Sequence, residues 1–171
     1  MTSRLTATEP LDRGRHRVEA FACGQETLDR WLRAYAGQNQ RRDAARTFVT
    51  TDQSGDVAGY YTLVAAQVEY AQATATVRRQ LSPHFPIPVA LLARLAVATR
   101  HQGAGLGRSL LLDALLRVLR ASDDLAVRAV TVEAIDERAD SFYRAFGFEP
   151  SDIAPSTLMV PLQAVRRTLG R

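Results

Sequence analysis

At 171 residues, with 46% hydrophobic and 23% charged side chains, the chain has the composition of one folded domain with a core of its own. Its longest apolar runs are broken by arginines, which excludes a membrane-spanning helix, and its first residues lack the apolar stretch of a signal peptide. The lone Cys23 excludes an internal disulfide and fits a reducing cytoplasm, and three scattered histidines offer no metal site.

In chain order, residues 15–21 read as a short strand. Residues 25–36 place Leu28, Trp31, Leu32 and Tyr35 at i, i+3, i+4, i+7, the spacing of an amphipathic helix, which the polar run 38–43 extends or ends. Residues 47–51 and 57–68 predict a hairpin about the turn Asp52-Gln53-Ser54-Gly55-Asp56. A short helix over 74–81 is stopped by Ser82-Pro83 and by Pro86-Ile87-Pro88. Then follow a strand over 89–97, a helix from Leu106 to about Arg120, a strand over 127–134, a helix opening at Asp136, and a strand near 157–162. No repeat or linker interrupts this α/β order, so residues 1–171 are expected to form a single domain.

Between the strand ending at Val97 and the helix opening at Leu106 lies Arg100-His101-Gln102-Gly103-Ala104-Gly105-Leu106-Gly107-Arg108-Ser109. Alternate glycines strip side chains from the loop, letting backbone N–H groups converge on an anion. The helix N-terminus behind them adds unpaired donors and a positive dipole end. The spacing is not that of a P-loop, because Gly103 to Gly107 encloses three residues and Arg108 stands where that motif needs lysine. Arg108 also occupies the third glycine position of a dinucleotide fingerprint.

Further on, Asp136 is a good helix N-cap, Gly147 is placed to end the helix, and Ala139, Phe142, Tyr143 and Phe146 share one face. Taken alone, Tyr143 reads as a core aromatic with a solvated hydroxyl; with the glycine loop upstream, the catalytic reading comes first.

The pattern Arg100-x-x-Gly103-x-Gly105 resembles the Arg/Gln-x-x-Gly-x-Gly/Ala signature of the GNAT N-acetyltransferases, and Ala139-x-x-Phe142-Tyr143-x-x-Phe146-Gly147-Phe148 resembles their second signature. The resemblance implies a GNAT acyltransferase fold: a central mixed, mostly antiparallel sheet, flanked by helices and splayed between the strand before the glycine loop and the next strand. It implies acetyl-coenzyme A as co-substrate, with no metal. The pyrophosphate would lie on Arg100, Gln102, Gly103, Ala104, Gly105, Leu106, Gly107, Arg108 and Ser109, and the pantetheine arm along Leu95, Ala96 and Val97. Tyr143 would stand near the thioester sulfur as the catalytic acid.

Four further stretches resemble one branch of that family, the TacT/AtaT kind of toxin from type II toxin–antitoxin systems. They are Phe21-x-Cys23-Gly24-x-x-x-Leu28-Asp29-x-Trp31-Leu32, Ala36-x-x-Asn39, Gly59-Tyr60-Tyr61 and Pro86-Ile87-Pro88-Val89-x-Leu91-Leu92-Ala93-Arg94-Leu95-Ala96-Val97. This resemblance implies acetylation of the α-amine of the amino acid on charged tRNA, blocked translation and a ribbon–helix–helix antitoxin, and it leaves room for a homodimer.

The net charge is +4, and every basic residue is arginine. Arg41, Arg42, Arg78 and Arg79 are candidate contacts to tRNA phosphates, and each pair taken alone also reads as a solvated face. Arg46 belongs to the first cluster, and Arg166 and Arg167 form a weaker candidate pair. Arg94 is expected to face the acceptor or to bridge to an acid. The alternative functions are a peptide N-terminal or small-amine acetyltransferase outside any toxin system, or an inactive acetyltransferase fold that serves as a binding module.

Overall fold

The computed structural model describes residues 4–170. Its strands are β1 (Glu9–Pro10), β2 (Arg46–Thr51), β3 (Val57–Val68), β4 (Ile87–Val97), β5 (Ala129–Glu133), β6 (Glu149–Pro150) and β7 (Thr157–Pro161). Its α-helices are α1 (Glu26–Arg30), α2 (Ala36–Arg41), α3 (Ala75–Arg78), α4 (Leu106–Ala121), α5 (Glu137–Arg144) and α6 (Leu162–Leu169). The strands form one sheet in the order β1-β2-β3-β4-β5-β7-β6. The pairs β1–β2, β2–β3, β5–β7 and β6–β7 are antiparallel, and β4–β5 is parallel. This is the mixed, mostly antiparallel, helix-flanked sheet expected. The chain divides into two units, each drawn from two segments: residues up to Val64 with Ala93–Ala114, and Ala65–Leu92 with residues from Leu115 on.

In the first unit, the β2–β3 hairpin pairs Phe48 with Tyr61 and Val49 with Tyr60, and its register shifts between Thr50 and Thr51. Its turn is local chemistry: Asp52 Oδ1 accepts from the N–H groups of Ser54 and Asp56, and Gly55 has φ +85°. The core gathers Val18, Phe21, Leu32, Val49, Val57 and Tyr60. Between α1 and α2 runs a π-helical turn, Trp31–Tyr35, which keeps Leu32 fully buried and brings the rings of Trp31 and Tyr35 into a stack. The first turns of α4 lie against β3 at Gly59. A Cβ there would come 2.8 Å from Leu110 Cδ1 and 3.3 Å from both Leu106 Cδ2 and the Ala96 carbonyl oxygen. Asp113 pins the same helix by accepting from the hydroxyls of Thr8 and Tyr61 at 2.6 and 2.5 Å. Gly59→Val is therefore expected to cost about 1–3 kcal/mol of stability through overpacking, read as a lower thermal midpoint.

Residues 15–21 are not a strand. Asp12 Oδ1 accepts from the Gly14 N–H and the Asp12 carbonyl accepts from Arg15, which makes a turn, and a single bridge joins Arg17 to Asp56. Val18 and Phe21 are buried at a turn's spacing, with the Phe21 N–H donating to the Val18 carbonyl. The edge strand is β1, paired with Phe48 and Val49 of β2.

In the second unit, Val89–Leu92 of β4 pairs with Ala129–Val132 of β5, β7 pairs with the other edge of β5, and β6 lies outside β7. Ile87, Val89, Ala129, Met159, Ala73 and Val77 form a core cluster. Helix α3 is one turn, shorter than the 74–81 expected. Thr74 caps its start through the Val77 N–H, and Gln80 with φ +66° ends it. Arg128 caps the far end by donating to the carbonyls of Val77 and Arg79 at 2.8 Å each. Helix α6, unforeseen in the sequence, buries Leu162 and Val165. No helix among the described residues is long and apolar enough to cross a membrane.

Candidate active site

The glycine loop belongs to the first unit, where β4 ends and α4 begins. The Ala98 N–H donates to the Ala58 carbonyl at 2.8 Å, and a short 3₁₀ turn, Thr99–His101, follows. Thr99 donates from its N–H and its Oγ1 to the Ala22 carbonyl at 2.8 and 3.0 Å. Gln102 Nε2 donates to the carbonyls of Cys23 and Val97, at 2.9 Å each. These bonds hold the base of the loop while its tip stays exposed.

Gly103 and Gly105 have φ of +82° and +86°, the left-handed region that disfavours side chains, and no atom lies within 4 Å of where either Cβ would be. The loop is therefore glycine-rich for backbone shape and for an open face, and the amides of the first turn of α4 point along the helix axis toward it. Ser109 spends its Oγ on the Gly105 carbonyl at 3.2 Å, and its N–H donates there at 3.1 Å. Arg100 braces the loop from outside. Its Nη2 lies 2.8 Å from Asp52 Oδ2 and 4.0 Å from Asp56 Oδ2, in the hairpin turn. Asp52 and Asp56 read in the sequence as turn residues alone, and no local signal shows their tie to Arg100.

Of the strand residues, Ala96 is buried and Leu95 and Val97 are half-buried. They belong to the end of β4 that runs on past the parallel ladder with β5, which closes at Leu92. Cys23 is a poor nucleophile: burial, with Asp29 beside it, pushes its thiol up to about 11.

Tyr143 lies in the second unit, on α5. Asp136 Oδ1 caps that helix by accepting from the Ala139 N–H at 2.8 Å, and Gly147 with φ +89° follows its last turn. The tyrosine is 7% exposed, and its ring meets Phe142 and Phe148 edge-on at 5.2 and 5.5 Å. Burial pushes its hydroxyl up to about 12, so at neutral pH it holds its proton and can act only as a donor of it.

The candidate arginines divide. Arg78 is half-buried and committed, donating to the Ala73 carbonyl at 3.2 Å and lying 5.7 Å from the Tyr70 ring centre. Arg42 lies on the Gln38 amide oxygen at 2.5 and 2.9 Å once that amide is turned to face it. Arg46 pairs with Asp43 at 2.6 Å. Arg41 and Arg79 are exposed on the first and second units respectively. Arg166 reaches Ser122 Oγ at 3.5 Å, and Arg167 is exposed. Arg94 makes no bridge to an acid among the described residues; its guanidinium carbon lies over Trp31, 3.8 Å from the ring centre. Among the described residues no group of three or more His, Cys, Asp or Glu could hold a metal ion.

A strand–loop–helix with an open backbone cradle, set in this sheet, is the arrangement of an acetyltransferase. Residues 43–150 match the acetyltransferase (GNAT) domain family, and the chain belongs to it. The chain is similar to the tRNA-acetylating toxin of Mycobacterium tuberculosis, at 40% identity over 153 residues and 90% of each protein. It is also similar to the structure of AtaT complexed with acetyl-methionyl-tRNAfMet, with TM-score 0.88, 28% identity, and 96% and 99% of the two chains covered. A third likeness is to a mutant AtaT toxin bound to the C-terminus of the antitoxin AtaR and acetyl-CoA, with TM-score 0.82, 26% identity, and 98% and 99% covered.

Proposed function

We propose that this chain is an acetyl-coenzyme A-dependent N-acetyltransferase that acetylates the α-amine of the amino acid on charged tRNA and so blocks translation as a toxin. The observation that carries the proposal is its 40% identity, over 90% of its length, to a tRNA-acetylating toxin, together with an intact glycine loop and Tyr143. The chain acts in the cytoplasm as one acetyltransferase domain, and its partner is a ribbon–helix–helix antitoxin. A homodimer is compatible with this function.

The cradle fits the co-substrate, because it offers backbone donors, open space and no carboxylate at its tip. Acetyl-coenzyme A supplies the activated acetyl thioester. The N–H groups of residues 103–107 and of the α4 N-terminus would hold its pyrophosphate, the Gln102 N–H being bonded to the Thr99 carbonyl. The backbone of Leu95, Ala96 and Val97 aligns the pantetheine arm as an added strand would, and its N–H groups polarise the thioester carbonyl. Arg100 serves the cradle by fixing the loop to Asp52. An aminoacyl ester lowers the α-amine pKa below the usual ~8, so much of the amine is neutral without a dedicated base. As the amine nitrogen bonds to the acetyl carbon and the carbon–sulfur bond breaks, Tyr143 Oη gives its proton to the sulfur. The proton lost by the amine restores the hydroxyl through solvent.

Labelled acetyl-coenzyme A should mark charged tRNA and leave uncharged tRNA and peptide N-termini unmarked. Label on peptides alone would move the function to N-terminal acetylation. Arg41→Glu with Arg79→Glu should raise KM for charged tRNA and flatten its salt dependence by roughly one phosphate contact per residue. Affinity for acetyl-coenzyme A should not change. A salt slope equal to that of the wild type would remove these two arginines from the tRNA contact.

A further inference from the structure

The first unit carries an alternating ladder of flat groups that the proposed chemistry leaves unused. Arg30 lies over the Tyr35 ring at 5.8 Å, Tyr35 and Trp31 stack at 6.2 Å with 27° between their planes, and Arg94 covers Trp31 at 3.8 Å. The π-helical turn brings the two rings into register. A hydroxyl chain fixes the inner ring: Trp31 Nε1 donates to Thr62 Oγ1 at 3.3 Å, and Thr62 bonds Thr47 Oγ1 at 2.9 Å. The outer ring reaches solvent, with Tyr35 42% exposed and the guanidinium over it belonging to an exposed arginine, Arg30.

Core packing does not account for the two ends of this ladder. A tyrosine that large is left in water, and Arg94 is half-buried with no carboxylate to neutralise it among the described residues. Desolvation lowers the pKa of Arg94, so an arriving anion would be favoured there. Its guanidinium carbon sits over Trp31, and a guanidinium's N–H donors match a phosphate oxygen pair. An exposed aromatic ring near a guanidinium with no carboxylate partner is what an unstacked nucleotide binds, a base to the ring and a phosphate to the fork.

We propose that the Arg30–Tyr35–Trp31–Arg94 ladder is a stacking platform for the unpaired 3′ nucleotides of the RNA acceptor, with a base displacing the exposed Arg30 from the Tyr35 ring and a phosphodiester on Arg94. This rests on the proposed function, since it names how that acceptor's single-stranded end is held.

Trp31 is the chain's single tryptophan, so its fluorescence reports on the platform alone. The probes are uncharged tRNA, intact and trimmed of its unpaired 3′ nucleotides. Intact tRNA should quench Trp31, and trimming should weaken wild-type binding about 5- to 150-fold, the worth of one stacked base. Tyr35→Ala should lose a similar factor toward intact tRNA and respond to trimming much less than wild type, through the Arg94 contact alone, whereas Tyr35→Phe should behave as wild type. Arg94→Ala should lower the salt slope by about one contact. If Tyr35→Ala responds to trimming as wild type does, or if tRNA leaves Trp31 fluorescence unchanged, the platform is overturned and the ladder serves a protein partner or packing alone. The two proposals fail separately. Acetylation of charged tRNA with a trimming-blind wild type sinks the platform, and trimming-sensitive binding with acetylation of peptides alone sinks the acceptor.

Discussion

Gly105→Asp should abolish acetyl-coenzyme A binding in a protein that still folds. The position is exposed, and no atom lies within 4 Å of the new Cβ, so the core is untouched. Its φ of +86° disfavours a side chain by roughly 1–2 kcal/mol, a strain that aspartate tolerates better than most residues. Charge decides the outcome. A carboxylate about 4 Å from a pyrophosphate oxygen, at an effective dielectric near 20, repels each unit charge by ~4 kcal/mol, about a thousandfold in affinity. Gly105→Ala carries the strain without the charge and should lose only about tenfold. Calorimetry on both variants separates the two contributions. Unchanged affinity in a folded Gly105→Asp protein would dismiss the loop as the pyrophosphate site.

Tyr143→Phe should cut turnover about tenfold to a thousandfold, with affinity for acetyl-coenzyme A and thermal stability near wild type. Phenylalanine keeps the edge-on contacts with Phe142 and Phe148 and removes only the hydroxyl. Because burial pushes that hydroxyl up to about 12, it stays protonated across the neutral range, and the rise of rate with pH should follow the acceptor amine in both proteins. The sign for stability is the same: the folded state favours the neutral phenol. Its contribution is whole below about pH 10, where an unfolded tyrosine begins to ionise, and it falls as pH climbs from there. Equal turnover in single-turnover kinetics would leave Tyr143 as a packed aromatic and nothing more.

What the sequence made legible was local. The β2–β3 hairpin could be placed within a residue because alternation and an Asp-x-x-Gly turn sit inside one short stretch. The start of α4, the Asp136 cap and the Gly147 stop rest on backbone chemistry of one or two residues. The segment at 15–21 misled because two buried apolar residues in a turn mimic a strand face. The two-residue β1 ends in a proline and carries no periodicity at all. In the candidate site, glycines announced the loop, but its bracing depends on pairs distant in sequence. Arg100 meets Asp52 and Arg94 meets Trp31, and neither spacing leaves a pattern. For Arg78 a basic pair suggested solvent and phosphate, whereas the fold uses its charge on a carbonyl and a ring.

The strand order of the second unit bears on when activity can appear during synthesis. β6 is made before β7 but pairs outside it, so it finds its place in the sheet only once β7 has joined β5. The residues of the first unit end at Ala114, whereas the second, which holds Tyr143, includes the β7 segment and α6. A chain made only as far as Ala114 therefore holds the residues of the proposed co-substrate loop before the proposed proton donor, Tyr143, has been made. On the proposed function, a protein that stops translation therefore lacks its full chemistry until β7 has been made, and products cut short before that point should leave translation running.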